Sequence, residues 1–307
     1  MPQTPVLALL APGQGSQTPG MLSPWLELPG ADERIAAWSD SIKLDLARLG
    51  TTATAEEITD TSVTQPLVVA ATLLAHLEMT KRGLLAGADT VVAGHSVGEI
   101  AAYAIAGVLS ADDAVSLAAT RGSEMAKACA VEPTGMAAVL GGDEAEVLAR
   151  LEALDLVPAN RNAAGQIVAA GAISALDKLV EDPPAKARVR KLATAGAFHT
   201  HFMASALDGY SAAADAVTAS APTTSLLSNA DGQPVASAAD AVAKLVAQLT
   251  QPVRWDLCTE TMRQREVTAI IEFPPAGTLV GIAKRELRGV PTYAVKTPAD
   301  LDGLSEL

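Results

Sequence analysis

The pentapeptide Gly94-His95-Ser96-Val97-Gly98 stands between the apolar run Thr90-Val91-Val92-Ala93 and a stretch that opens a helix at Glu99. Few folds accommodate that arrangement. A strand that becomes a helix within so few residues holds its central residue in a strained conformation, while flanking glycines make room for the close turn. The serine hydroxyl then projects at the carboxyl edge of a sheet, and the helix N-terminus aims its amides at developing negative charge. A Gly-rich turn with a capping serine has the same letters. The context of strand before and helix after favours the elbow, so Ser96 is the candidate nucleophile.

An elbow of this kind needs a largely parallel sheet, and the chain supplies the rhythm for one. A strand at Val6–Leu10, a helix at Leu67–Leu77, a strand at Thr90–Ala93 and a helix at Val97–Leu109 alternate. Ser110-Ala111-Asp112-Asp113 has capping-box spacing and starts a helix to about Ala130. From Met136 the order changes to strand (Met136–Leu140), helix (Glu144–Leu154), two strands around Asn162–Gly165, helix (Ala175–Val180) and strand (Ala187–Leu192). This β-α-β-β-α-β order predicts a small ferredoxin-like subdomain, residues 132–194, inserted into a discontinuous large subdomain, residues 1–131 and 195–307. A helix at Ala204–Ala219, a strand at Ser225–Asn229 with an Asp231-Gly232 turn, and a strand at Thr268–Glu272 complete the larger part. At 307 residues, 49% hydrophobic but only 3% aromatic, the core must be built from Ala, Val and Leu.

Lys+Arg 22 against Asp+Glu 35 gives a net charge of −13, which opposes binding to nucleic acid through bulk charge. No basic residue precedes the apolar run Val6–Ala11, and no uninterrupted apolar stretch has membrane-spanning length, so a soluble protein with no membrane partner is expected. Cys129 and Cys258 are too few for a disulfide framework or a structural zinc site, which fits a reducing cytoplasm.

A serine nucleophile needs a base, and the chain has four histidines: His76, His95, His199 and His201. His95, adjacent to Ser96, points away from it in a tight elbow, and His76 lies in an apolar helix. His199 and His201 follow the Ala193–Ala197 loop, in the Ser-before-His order of α/β serine enzymes. A His-x-His pair also suits a metal, but no further His/Cys cluster completes a shell, so no metal is expected. The loop Pro12-Gly13-Gln14-Gly15-Ser16-Gln17 lacks the Gly-Lys-Ser/Thr of a phosphate-binding loop, and its amides suit an oxyanion hole shared with the amide of Val97. Arg121 falls inside the apolar stripe Ala114, Leu117, Ala118, Met125 and Ala128. A buried guanidinium needs an anion: an internal Asp or Glu, or a substrate carboxylate in a bidentate clamp.

Taken together, Pro12-Gly13-Gln14-Gly15-Ser16-Gln17, Gly94-His95-Ser96-Val97-Gly98-Glu99, Arg121-Gly122, Ala197-Phe198-His199, Gln248 with Pro252-Val253-Arg254-Trp255, and Gly277-Thr278-Leu279 resemble the malonyl-CoA:acyl-carrier-protein transacylases of type II fatty-acid and polyketide synthesis. The likeness is collinear from about Val6 to Leu304. It implies an α/β-hydrolase-like large subdomain with a ferredoxin-like insert, and ping-pong transfer of malonyl from malonyl-CoA to the phosphopantetheine thiol of acyl carrier protein. It implies Ser96 as acyl acceptor, His199 as base, Gln248 beside His199 with a backbone carbonyl in place of a third acid, and the amides of Gln14 and Val97 as oxyanion donors. Arg121 would clamp the malonate carboxylate, Phe198 would fill the space of an α-methyl group, and Lys284 and Arg285 would contact the carrier. No bound cofactor is implied, since malonyl-CoA is a substrate and the phosphopantetheine belongs to the partner. The Ala-rich, Lys-poor composition is similar to that of high-GC actinobacterial proteins. A serine hydrolase or thioesterase of short acyl groups shares the elbow but gives no reason for Arg121, and a silent scaffold gives none for Ser96 and His199.

Overall fold

The computed structural model describes residues 4–305. Along the chain, β1 (Val6–Ala11) leads to α1 (Ala31–Ile42), α2 (Leu46–Thr51) and α3 (Thr61–Lys81), then β2 (Asp89–Gly94), α4 (Gly98–Ile105) and α5 (Ala111–Cys129). The middle holds β3 (Thr134–Gly141), α6 (Glu144–Ala153), β4 (Val157–Ala163), β5 (Gln166–Ala172), α7 (Ile173–Glu181) and β6 (Ala187–Lys191). The last third holds α8 (Leu207–Ala216), β7 (Ser225–Leu227), α9 (Ala238–Ala247), α10 (Trp255–Gln264), β8 (Ala269–Glu272), α11 (Thr278–Glu286) and β9 (Thr292–Ala294).

Five strands form a sheet in the order β7-β2-β1-β8-β9 with every pairing parallel. Its central strands read as unbroken apolar runs because both faces are covered. Leu7, Leu9, Val92 and Ile271 pack into the core that contains α3, while Ala8, Leu10, Val91, Ala93 and Ile270 pack against Trp255, Met262, Leu279 and Ile282 on the other face. α3 is buried nearly all round, and α5 lies directly on it. Gly122 permits that contact, because a Cβ there would sit 2.6 Å from the Thr61 carbonyl oxygen. The close approach sets Arg121 of α5 beside Gln65 of α3.

The remaining strands form an antiparallel sheet in the order β4-β5-β3-β6. Ala137, Val139, Ile167 and Ala169 face Leu151 of α6 and Leu176 and Leu179 of α7. β4 is stitched to the rest of the chain by backbone hydrogen bonds Arg161 N–Val253 O, 2.9 Å, and Val253 N–Ala159 O, 2.8 Å.

Several elements differ from the sequence expectation. α3 begins at Thr61 rather than Leu67: Asp60 caps it by accepting from Ser62 N, and Pro66 is tolerated inside. α4 ends at Ile105, not Leu109, because Gly107 takes a left-handed φ of 77° and Val108 N bonds back to Tyr103 O. The helix expected over Ala204–Ala219 is a 3₁₀ turn from His201 to Ala206 followed by the shorter α8. The strand expected over Ser225–Asn229 stops at Leu227, since Asn229 is turned out of the sheet to serve the elbow. Among the described residues no helix is long and apolar enough to cross a membrane.

Candidate active site

The elbow is built as its glycines require. A Cβ at Gly94 would lie 2.1 Å from the backbone of Gly98, and one at Gly98 would lie 2.2 Å from the Ala11 carbonyl oxygen. Ser96 itself has φ 54°, a left-handed conformation that costs of order 1–3 kcal/mol for a residue with a side chain. Asn229 holds it there. Its Oδ1 accepts from Ser96 N at 2.9 Å and its Nδ2 donates to Gly94 O at 2.7 Å.

His199 Nε2 lies 2.7 Å from Ser96 Oγ, and His199 Nδ1 lies 2.8 Å from the backbone carbonyl oxygen of Gln248. A carbonyl can only accept, so Nδ1 carries the hydrogen and Nε2 presents its lone pair to the serine hydroxyl. Among the described residues no carboxylate contacts the ring. Burial, and then the charge of Arg121, hold His199 down to about 3, so at neutral pH it is an uncharged base. His201 is exposed, with its ring 4.1 Å from that of Phe202, and does not converge with His199 on a ligand. His95 bonds Asn162 Oδ1 through Nε2 at 2.8 Å and rests against Trp255; its ring belongs to the cavity wall, although it makes no hydrogen bond to Ser96 Oγ. His76 packs edge-on against Phe273 in α3.

Arg121 is fully buried, and among the described residues it has no carboxylate partner in direct contact. Its Nη1 donates to Gln65 Oε1 and its Nη2 to Gln248 Oε1, each at 2.8 Å, and Nη2 stands 3.5 Å from Ser96 Oγ. The internal ion pair weighed for it from sequence is therefore replaced by two neutral amides. Gln248 is held in turn: its Nε2 donates to Ser96 O at 3.1 Å, to Asn229 Oδ1 at 3.2 Å and to Glu99 Oε2.

A cavity of about 290 Å³ opens over Ser96 and His199, with Arg121 and Gln248 behind its wall. Ser96, His199, Gln65, Gln14, Val97 and Phe198 share its wall with Met136, Ala138 and Val168 of the antiparallel sheet and with Thr278, Leu279 and Ile282 of α11. The Gln14 and Val97 amide N–H groups make no hydrogen bond to another group among the described residues. Lys284 and Arg285 are exposed at the end of α11, whose first turn is anchored by Glu272 accepting from the N–H groups of Gly277, Leu279 and Val280. Arg285 reaches across to Gln166, another residue of the cavity wall.

Sequence reasoning gave no role to Gln65, Glu99, Asn229 or Asn162. Two left a trace: Gln65 is a polar residue in an apolar helix, and Glu99 is a carboxylate leading the apolar run Ile100-Ala101-Ala102. Asn229 left none, because Ser96 and Gly94, the elbow groups it holds, lie more than 130 residues away in the chain.

Comparison with known proteins agrees with this architecture. The family model described as "Acyl transferase domain" matches residues 9–299. The malonyl CoA-acyl carrier protein transacylase of Mycolicibacterium smegmatis is 81% identical over 291 residues, covering 94% of this chain and 100% of that one. The crystal structure of MCAT from Mycobacterium tuberculosis superimposes with a TM-score of 0.96 at 75% identity, covering 98% of this chain and 99% of that one. A complex of a type II PKS acyl-carrier protein with its malonyl-transacylase matches at a TM-score of 0.92 and 29% identity, covering 98% and 99%.

Proposed function

The chain belongs to the acyl transferase domain family, and from that premise we propose that it moves a malonyl group from malonyl-CoA to the phosphopantetheine thiol of an acyl carrier protein through a malonyl-Ser96 intermediate. The observation that carries the substrate is Arg121: a buried cation 3.5 Å from the nucleophile, fixed by amides and with no direct carboxylate partner among the described residues, matches an acyl group that ends in one. The relatives' shared name supports the same donor and acceptor.

In the first half-reaction the Ser96 hydroxyl gives its proton to His199 Nε2 as Oγ attacks the thioester carbonyl. The Gln14 and Val97 amides receive the oxyanion, and CoA leaves as the thiol, taking the proton back from His199. The carrier's thiol then repeats the sequence on malonyl-Ser96. Arg121 has a second effect. Its charge lowers the proton affinity of His199, so a malonyl carboxylate that neutralises Arg121 also strengthens the base. Phe198, 6% exposed in the cavity wall, is assigned in this reading to the space an α-methyl branch would need. The division into an α/β-hydrolase-like body and a ferredoxin-like insert is part of this reading, with the site between the two sheets. Two free cysteines suit a reducing cytoplasm.

Arg121→Ala should lower malonyl transfer relative to acetyl transfer by about 10–150-fold, the worth of a charge-assisted hydrogen bond of roughly 1.5–3 kcal/mol. Steady-state rates with both CoA esters measure it. Equal losses for the two would make Arg121 structural and remove the malonyl assignment.

An acidic carrier meets a chain of charge −13, so docking needs a local basic rim. Lys284 and Arg285 provide one side. Strand register supplies the other: Arg190 pairs with Ala138 and Arg188 with Leu140, which places both arginines on the cavity face of the antiparallel sheet. Reversing Lys284 and Arg285 to Glu should raise the KM for carrier steeply at low salt and leave acylation by malonyl-CoA nearly unchanged, since such charges are screened over about 10 Å at 0.1 M salt. Unchanged carrier kinetics at low ionic strength would move the docking surface elsewhere.

A further inference from the structure

Glu99 is a buried carboxylate, 1% exposed, to which the reaction above gives no part. Its Oε1 accepts from Asn229 N at 2.6 Å and its Oε2 accepts from Gln248 Nε2. Both oxygens thus face donors. Around the Gln248 amide, every acceptor (Glu99 Oε2, Ser96 O and Asn229 Oδ1) lies on the Nε2 side, and the donor Arg121 Nη2 lies on the Oε1 side. The opposite orientation would set an NH₂ group against a guanidinium. The backbone carbonyl of the same Gln248 receives His199 Nδ1–H, so one residue fixes both the cation and the base.

We propose that Glu99 is a positioning residue: its ionised carboxylate locks the Gln248 amide, and through Gln248 it aims Arg121 and His199 at Ser96. It stands where a triad acid would stand in charge, but one residue removed, acting on the residue that orients the histidine rather than on the ring. This inference rests on Ser96 and His199 acting as nucleophile and base.

Ionised, the carboxylate presents only acceptors to its two donors, and its surroundings make that state pH-dependent. Burial pushes Glu99 up to about 8, opposed by the hydrogen bond from Asn229, the charge of Arg121 on α5, the hydrogen bond from Gln248 and the charge of Lys244 on α9. The other titratable groups that face it do not change charge in that range. Burial raises Tyr103 on its own helix, Tyr210 on α8 and Cys258 on α10, and burial with Arg121 holds His199 down to about 3. As the pH falls through about 8, a proton on Glu99 turns one acceptor into a donor facing an N–H, and the lock loosens.

The test is the acylation half-reaction alone, wild type and Glu99→Gln, with malonyl-CoA and no carrier, read as kcat/KM between about pH 6 and about pH 9. In the wild type the rate should rise with pH with a midpoint near 8. Glu99→Gln keeps the shape but places an NH₂ group against Asn229 N or Gln248 Nε2; it should lose roughly 10²-fold at the alkaline plateau, the cost of a small misplacement of catalytic groups, and lose the acid limb. A Gln variant as active as the wild type, or one that keeps the limb, overturns the inference. If the variant does not fold, the wild-type profile decides: an acylation rate flat across this range rejects the role of Glu99 while leaving the transfer reaction intact. Absence of malonyl-Ser96 from the wild type at every pH rejects the transfer reading, and the Glu99 role with it.

Discussion

Ser96→Ala should abolish the acyl-enzyme while leaving the fold intact. The substitution removes only Oγ, whose partners are His199 Nε2 and, at longer range, Arg121 Nη2. The elbow itself is held by backbone and by Asn229, which bonds Ser96 N and Gly94 O and does not use the hydroxyl. Alanine in the left-handed conformation bears much the same strain as serine. Removing the nucleophile from an enzyme of this type costs on the order of 10⁶ in rate. Intact mass after exposure to malonyl-CoA measures it directly, with circular dichroism as the control for folding. Malonate retained covalently on the alanine variant would place the nucleophile elsewhere.

The second large effect is at His199. Alanine there removes the only base within reach of Ser96 Oγ among the described residues, and general-base loss is typically worth about 10²–10⁴-fold. His201→Ala provides the contrast, because that exposed ring touches Phe202 rather than the cavity. Its rate should stay close to wild type. A larger loss at His201 than at His199 would assign the base to the wrong ring.

What was legible in the sequence was whatever is encoded locally. The elbow is a short-range steric pattern, with glycines where a Cβ would strike backbone and a serine between them, so it reads without knowledge of the fold. The alternation of apolar runs read well for β1, β2 and β3 because their burial follows directly from composition. α3 extends back to Thr61, past the expected start at Leu67, with Pro66 inside it, because packing on both sides outweighs one lost hydrogen bond. β9 escaped because three half-buried residues carry no period of two. Arg121 was visible as a cation in an apolar stripe, but its partners were not. Gln65 and Gln248 lie 56 and 127 residues away, and two neutral amides holding a guanidinium leave no charge pattern to find. Gln248 entered only through the family likeness, since a backbone carbonyl that orients a histidine has no side-chain signature at all.

The central claim is that malonyl rests on Ser96 and waits for a thiol. The most direct measurement incubates the protein with malonyl-CoA labelled in the malonyl group, without carrier, and separates label on protein from free malonate before mapping the labelled peptide. The account predicts label on the peptide containing Ser96, stable until holo acyl carrier protein is added and then transferred to it. Label that appears instead as free malonate in step with CoA release would make the protein a thioesterase, and no label on Ser96 would contradict the account outright.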